Sequence, residues 1–422
     1  MFKKITLPNG LRLLAVPKEG SESVTVLVLF GTGSKYETKN INGVSHFLEH
    51  MFFKGTEKRP DTQAVSEVLD RIGGAYNAFT GKETTGYWAK VAAENWEVAV
   101  DWVSDILLNS KFEAKEIEKE KGVIMEEINM YLDDPRSYVG EIWEDLLYGD
   151  QPAGWDTIGT KEVVAKLTRP QFIRYLGEHY RSRSAIICLA GKLPPEKELK
   201  RKIGRYFQAI KKGKGKDKLS VKEKQEKPKS LIRFKDTDQT HLCLGVRAYG
   251  LSHPDRYALT LLATMLGGMM SSRLWISVRE KNGLAYYVRT SFEKYTDSGY
   301  LVTQAGVANN RAKEAISTIL AEYRKIRDEK VKADEIKKAK DCLKGSTKLY
   351  LETSDHLAGW VGEQEILQDR VLTPAQVIAK IEAVTAEDLQ RVARDIFRPE
   401  KINLALIGPF KEKEKFEGLL KI

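Results

Sequence analysis

Gly43-Val44-Ser45-His46-Phe47-Leu48-Glu49-His50-Met51-Phe52-Phe53 is the stretch on which the reading of this chain turns. It has no Pro and its one Gly stands at the start, so its residues suit a helix. At about 100° per residue, His46 and His50 lie about 40° apart, with Glu49 about 60° to the other side of His46. All three side chains therefore share one face. Two imidazoles at i and i+4 can bind one Zn²⁺ through neutral nitrogens. The carboxylate beside them can take a proton from water that the ion acidifies. The order His-x-x-Glu-His reverses the commoner order of such sites. Five residues with three fixed recur by chance, so the weight of this reading comes from the rest of the chain.

With 422 residues the chain is too long for one ordinary core and suits two or three domains. Hydrophobic residues make up 42% and charged residues 30%, a balance that describes a globular protein. No apolar run approaches the roughly 18 residues of a bilayer span. Met1–Gly10 carries a basic pair but no apolar stretch of secretory type, so a cytoplasmic location is expected. Cys188, Cys243 and Cys342 are far apart and read as small hydrophobes in a reducing compartment. Net charge is +10, and six of those charges come from Lys211–Lys229, where nine Lys face Asp217, Glu223 and Glu226. The remainder is nearly balanced, which argues against a nucleic-acid surface.

Taken in order, Ile5–Val16 reads as a hairpin turned at Pro8-Asn9-Gly10, and Ser23–Phe30 as a central strand. A helix over Asp61–Ile72, capped by Asp61 or Thr62, stops at Gly73-Gly74. Ala75–Thr80 and Thr84–Val91 form a hairpin, followed by helices over Glu94–Leu108 and Ala114–Leu132. More helix is expected after Asp134-Pro135 to Tyr148 and across Lys161–His179. A strand at Ser184–Leu189 and an amphipathic helix to Phe207 complete the first half. Residues 211–229, Lys-rich with Gly213, Gly215 and Pro228, have the composition of a solvated tether.

The helix over Ala114–Leu132 holds a stripe of Ile117, Ile124, Ile128 and Tyr131. Glu120 and Glu127 project the same way, about 300° and 280° from Ile117, whereas Glu126 points about 180° away. A carboxylate is seldom left in an apolar stripe unless its charge is compensated. Glu127 is thus a candidate third zinc ligand and Glu120 its supporting partner.

The chain also repeats. Ala114-Lys115-Glu116-Ile117 recurs as Ala333-Asp334-Glu335-Ile336, and Tyr131-Leu132 as Tyr350-Leu351, both shifted by 219 (336 − 117; 350 − 131). Overlaying Ser45–Lys54 on Leu259–Gly268 sets His46, Glu49 and His50 against Thr260, Ala263 and Thr264, and the later overlay sets Glu127 against Ser346. The second copy lacks every ligand-type residue. His179, His241, His253 and His356 have no partner at ligand spacing and read as structural or surface residues.

Over essentially its whole length the sequence resembles the M16 (pitrilysin) metallopeptidases, the inverzincins, and among them the short M16B, mitochondrial-processing-peptidase-like branch. The resemblance rests on His46 through Thr56, on Asn77-Ala78-Phe79-Thr80, on Glu120 and Glu127, on Ser271-Ser272-Arg273-Leu274, and on Arg279 through Tyr286. It implies one zinc per subunit on His46, His50 and Glu127, with Glu49 as base and Glu120 as the supporting catalytic acid. It implies that Asn77 and Ala78 lie on the strand that pairs with an extended peptide, and that Arg279 and Tyr286 form the family's Arg/Tyr pair.

The implied fold is α+β: two homologous α/β sandwich domains of the LuxS/MPP-like metallohydrolase type, each a mostly antiparallel sheet covered by helices. The expected domains are 1–210, zinc-binding and catalytic; 211–229, linker; and 230–422, the duplicate carrying the Arg/Tyr pair. The implied activity is zinc endopeptidase action on unfolded or presequence-like peptides inside a dimer chamber. A homodimer is expected, with a heterodimer of related subunits possible and no nucleic-acid or membrane partner. The alternative is a catalytically silent core or partner subunit, which in this family is marked by a damaged zinc motif.

Overall fold

The computed structural model of the chain describes residues 2–422. Strands β1 (Lys3–Thr6), β2 (Arg12–Pro17), β3 (Ser23–Phe30), β4 (Ala75–Thr80), β5 (Thr85–Ala92) and β6 (Ala185–Gly191) build one sheet in the order β1-β2-β6-β3-β5-β4. Only β2 and β6 run parallel; the other neighbours are antiparallel. The β1–β2 turn closes with Gly10 at φ +85°, a conformation that costs Gly little. β3 lies inside the sheet, and Val24 through Phe30 are all buried. Val24, Val26, Val28 and Phe30 enter one core while Leu27 and Leu29 enter another on the opposite face. Two covered faces explain why the run is apolar without alternation.

The helices of the first half are α1 (Val44–Met51), α2 (Thr62–Asp70), α3 (Trp96–Asn109), α4 (Ala114–Asp133), α5 (Pro135–Tyr148), α6 (Lys161–Val164), α7 (Arg169–His179) and α8 (Glu196–Tyr206). The helical stretch expected across Lys161–His179 is two helices, α6 and α7. Thr168 and Gln171 make a capping box with Pro170 in the first turn, so a new helix starts there. Asp61 caps α2 by accepting the Ala64 N–H at 2.8 Å. Asp61→Ala is expected to lower stability by about 1 kcal/mol, read as a lower urea midpoint; an unmoved midpoint would show the cap to be idle.

Strands β7 (Lys229–Phe234), β8 (Gln239–Ala248), β9 (Ala285–Lys294), β10 (Gly299–Ala308) and β11 (Ile402–Gly408) form a second sheet in the order β7-β11-β8-β10-β9. This order repeats the first sheet without its β1, down to the single parallel pair β7–β11. Its helices include α9 (Arg256–Gly267), α10 (Ala312–Asp328), α11 (Ala333–Tyr350) and α12 (Ser354–Gln368). α4 and α11 start 219 residues apart, as do α5 and α12 (333 − 114; 354 − 135). The duplication read in the sequence is thus a duplication of architecture.

The compact units do not follow the sequential division 1–210 and 230–422. One unit is Met1–Asn129, Trp155–Leu219 and Lys348–Thr373; the other is Met130–Gly154, Ser220–Thr347 and Pro374–Ile422. Each half lends one helix to the other's sheet. Val139, Ile142, Trp143 and Leu147 of α5 pack on Tyr300, Val302, Ala405 and Ile407 of the second sheet. Leu357, Ala358 and Val361 of α12 pack on Leu14, Leu27, Leu29, Ile186 and Cys188 of the first. Tyr131 was expected in the α4 stripe but is 41% exposed, because the chain leaves the first unit after Asn129.

Residues 211–228 form no helix or strand, yet they are not a loose tether. The Lys211 and Gly213 carbonyls accept the Ser182 and Arg183 N–H groups at 3.1 and 2.8 Å. Further on, Glu223 and Gln225 accept hydrogen bonds from Arg247 at 2.8 and 3.0 Å. Composition reports exposed side chains; it does not report where the backbone groups bond. No described helix is long and apolar enough to cross a membrane.

Candidate metal centre

α1 begins at Gly43, whose φ of +94° and close approach to the Ile158 carbonyl leave no room for a Cβ, which would lie 2.5 Å from that oxygen. Val44, Phe47, Leu48 and Met51 enter the core of the first unit, with Phe47 edge-on to Phe172 at 4.8 Å. That packing turns His46, Glu49 and His50 to the opposite side. α4 buries Ile117, Ile124 and Ile128 in the same core, which brings Glu120 and Glu127 over α1.

His46, His50 and Glu127 offer ligand atoms that all lie within 4.8 Å of one another. Glu127 Oε2 stands 3.4 Å from His50 Nε2 and 3.7 Å from His46 Nε2. His50 Nδ1 is 2.8 Å from Glu120 Oε1, and Lys54 Nζ is 2.7 Å from the other oxygen of Glu120. Glu120 is only 2% exposed. Burial would raise its pKa, but His50 and Lys54 hold it below the usual carboxylate value. A carboxylate at Nδ1 fixes the imidazole so that Nε2 points at the other ligands. Glu49 stands outside the group, its Oε2 accepting the Thr80 hydroxyl at 2.6 Å, and burial raises its pKa. Two imidazoles and a carboxylate, with one imidazole oriented from behind, are the donor set of a zinc site that leaves a coordination position open. The residues fit the ion.

Burial and the neighbouring His50 push the His46 pKa well down. Burial works against charge on His50 as well, but Glu120 and Glu127 outweigh it and hold its pKa up to about 9. A metal must displace that proton. Zinc affinity of the metal-free chain is therefore expected to rise roughly tenfold per unit from about pH 6 to about pH 8. Competition with a chromogenic chelator checks this, and a flat profile would take the proton off His50.

Asn77 and Ala78 lie on β4, the edge strand of the first sheet, with Asn77 exposed and Ala78 buried. Thr80 of the same strand is the residue that holds Glu49, a partnership the sequence reading missed. In the second unit, Arg279 sits on a π-helical turn, Trp275–Lys281, and Tyr286 near the start of β9. The Arg279 guanidinium lies 4.2 Å from the Trp275 ring and 5.5 Å from the Tyr286 ring. Tyr286 is 76% exposed, so it is no core aromatic.

Two family models match: "Insulinase (Peptidase family M16)" over residues 12–161 and "Peptidase M16 inactive domain" over 166–343. The "Uncharacterized zinc protease YmxG" of Bacillus subtilis is 36% identical over 412 residues, covering 97% of this chain and 98% of that protein. An "Uncharacterized zinc protease" of Streptomyces coelicolor is 33% identical over 98% of this chain and 90% of its own length. The chain belongs to peptidase family M16. In fold it is similar to a protease from Helicobacter pylori, with a TM-score of 0.90 at 23% identity over 97% of this chain and 99% of that one. A peptidase M16 inactive domain from Pseudomonas fluorescens gives the same TM-score of 0.90 at 18% identity, over 97% and 98% of the two chains.

The second copy of the M16 repeat has no such cluster. Thr260 and Thr264 donate to their own helix carbonyls, Arg256 O and Thr260 O, each at 2.8 Å. Ser346 donates to Leu343 O at 3.2 Å. The remaining histidines are structural or surface residues. His179 is buried with its ring 4.3 Å from that of Tyr175, and His241 bonds the Tyr287 hydroxyl at 2.9 Å. His253 and His356 stack on Tyr249 and Tyr350 at 3.9 and 4.1 Å.

The sequence reading also missed Glu37, a 2%-exposed carboxylate beside the N-terminus of α1. Burial pushes its pKa up to about 7, against hydrogen bonds from Ser45, Gly43 and Asn42. The available signal was an acid shortly before a helix that opens on Gly.

Proposed function

We propose that this M16 chain is a zinc-dependent endopeptidase that hydrolyses unfolded or presequence-like peptides held in extended form. The observation that carries the reading is the convergence of one ligand atom each from His46, His50 and Glu127 within 4.8 Å, with Glu49 held beside them by an edge strand. The names of the relatives as zinc proteases agree with it. One Zn²⁺ bound by His46, His50 and Glu127 supplies Lewis acidity toward a scissile carbonyl and toward water.

The chain's own groups do the rest. Glu49 accepts the proton of the attacking water and returns it to the leaving amine. Its raised pKa suits a group that must hold and then release that proton. Thr80 keeps the carboxylate aimed by donating to Oε2. Glu120 positions His50. β4 is the edge strand that carries Asn77 and Ala78, and the Ala78 N–H donates to Asn77 Oδ1 at 2.8 Å, so a peptide that takes over that contact can add as a strand whose sequence is little read. Arg279 and Tyr286 are donors for substrate carbonyls or a developing oxyanion.

In this reading two copies pair, each bringing its zinc site to the other's Arg/Tyr pair and enclosing a chamber that admits unfolded peptides. Because one chain carries both sets of residues, a homodimer suffices. The protein then works in the cytoplasm. The test is hydrolysis of a quenched fluorescent peptide library before chelation, after chelation and after zinc is restored. Activity that survives thorough chelation would overturn the proposal.

A further inference from the structure

The two imidazoles of the metal group are held differently. His50 is fixed from behind by Glu120 at 2.8 Å. His46 has no such partner: its Nδ1 is buried and makes no hydrogen bond. Nothing bonded to its ring sets its direction away from Glu127, so its placement depends on the backbone of the first turn of α1. That turn has no local cap. Its N-cap residue is Gly43, which carries no side chain and admits none. Helix starts leave N–H groups that need acceptors, and the need is acute where the turn is buried.

Glu37 fills that need from six residues upstream. Its Oε2 accepts the Gly43 N–H at 2.7 Å and the Asn42 side-chain amide at 3.0 Å. Its Oε1 accepts the Ser45 N–H at 2.8 Å, the amide next to His46. A carboxylate here is also favoured by the positive end of the helix dipole. The segment that carries Glu37 is itself fastened. Ser34 and Lys35 donate backbone N–H groups to Gly81 and Lys82 carbonyls at 3.2 and 2.9 Å. Lys35 Nζ pairs with Glu83 at 2.9 Å, with side-chain exposures of 1% and 5%. Residues 81–83 follow directly on β4, the strand that holds Glu49 through Thr80.

We infer that Glu37 is a positioning residue for the metal centre: it fixes the first turn of α1 and, through the Ser45 amide, the bearing of His46 that Glu120 cannot set. The inference rests on the zinc-site reading above. Glu37→Gln keeps the size but replaces one acceptor oxygen with a donor facing N–H groups. Its zinc dissociation constant, measured by chelator competition, is expected to rise about 10–100-fold, the range for residues that orient a ligand from behind. The visible spectrum of the Co²⁺-substituted chain should change as well, because it reports ligand geometry.

Native zinc affinity and a native Co²⁺ spectrum in a Glu37→Gln chain that only melts earlier would overturn the inference, since a purely structural carboxylate does that. If Glu37→Gln does not fold, Asn42→Ala removes one of the three hydrogen bonds and should raise the dissociation constant several-fold; an unchanged constant there overturns it too. A parent chain that takes up no zinc would instead sink the metal-site reading itself, and the two failures are thereby told apart.

Discussion

Glu49→Gln is expected to keep its zinc and lose turnover by about 10²–10⁴-fold, the range a positioned acid–base group contributes. The substitution leaves size and helix propensity nearly unchanged. Glu49 is outside the His46–His50–Glu127 group, so the metal should stay. What disappears is the ability to accept a proton. The Thr80 hydroxyl, now 2.6 Å from a carboxylate oxygen, can still donate to the amide oxygen, so the side chain stays in place. The loss should therefore fall on kcat more than on KM. Zinc content by atomic absorption and kcat on one fluorogenic peptide decide the matter. A variant that cleaves at the parent rate would remove Glu49 from the chemistry, and one that loses its metal would place Glu49 among the ligands.

Glu127→Gln should cost zinc itself, by more than the roughly 10–100-fold expected of an orienting residue. The amide brings no negative charge to a site where Glu127 Oε2 faces both His46 Nε2 and His50 Nε2 at 3.7 and 3.4 Å. Glu120→Gln should fall in between, because it loosens His50 without removing a ligand. Glu126→Gln should change nothing: Glu126 is exposed, and its oxygen accepts the neighbouring Asn129 amide at 3.2 Å. Dialysis of the four chains against one chelator concentration, followed by metal analysis, gives the ranking. Equal losses in Glu126→Gln and Glu127→Gln would mean that α4 presents a different face to α1.

The site was legible in the sequence because it is built on two helices, and helical spacing can be counted without coordinates. His46, Glu49 and His50 share a face by arithmetic, and Glu120 and Glu127 stand out as acids in an Ile stripe. The stripe itself ended sooner than its pattern suggested. Tyr131 continues the periodicity, but the chain has already left the first unit there. Periodicity describes a helix and is silent about where its neighbours stop. Glu37 and Thr80 escaped for a related reason. Each acts on a residue that no regular spacing connects it to, across a loop or from a strand to a helix.

The repeat offers the sharpest contrast. Its shift of 219 residues could be read from matching segments, and α4 with α11 and α5 with α12 keep that shift. The exchange of α5 and α12 between the two sheets could not be read. An amphipathic helix needs an apolar surface, and two homologous sheets present nearly the same one, so the pattern of Val139, Ile142 and Trp143 fits either. What the sequence alone determined about this protein is local and periodic: the shared face of His46, Glu49 and His50 on α1, the acids of α4 and the duplicated order of elements. What only the tertiary structure decided is which sheet each helix covers, how the lysine-rich connection is tied down, and which carboxylate caps α1. Those outcomes depend on hydrogen-bond and packing partners distant along the chain, and a partner's identity is set by folding in three dimensions.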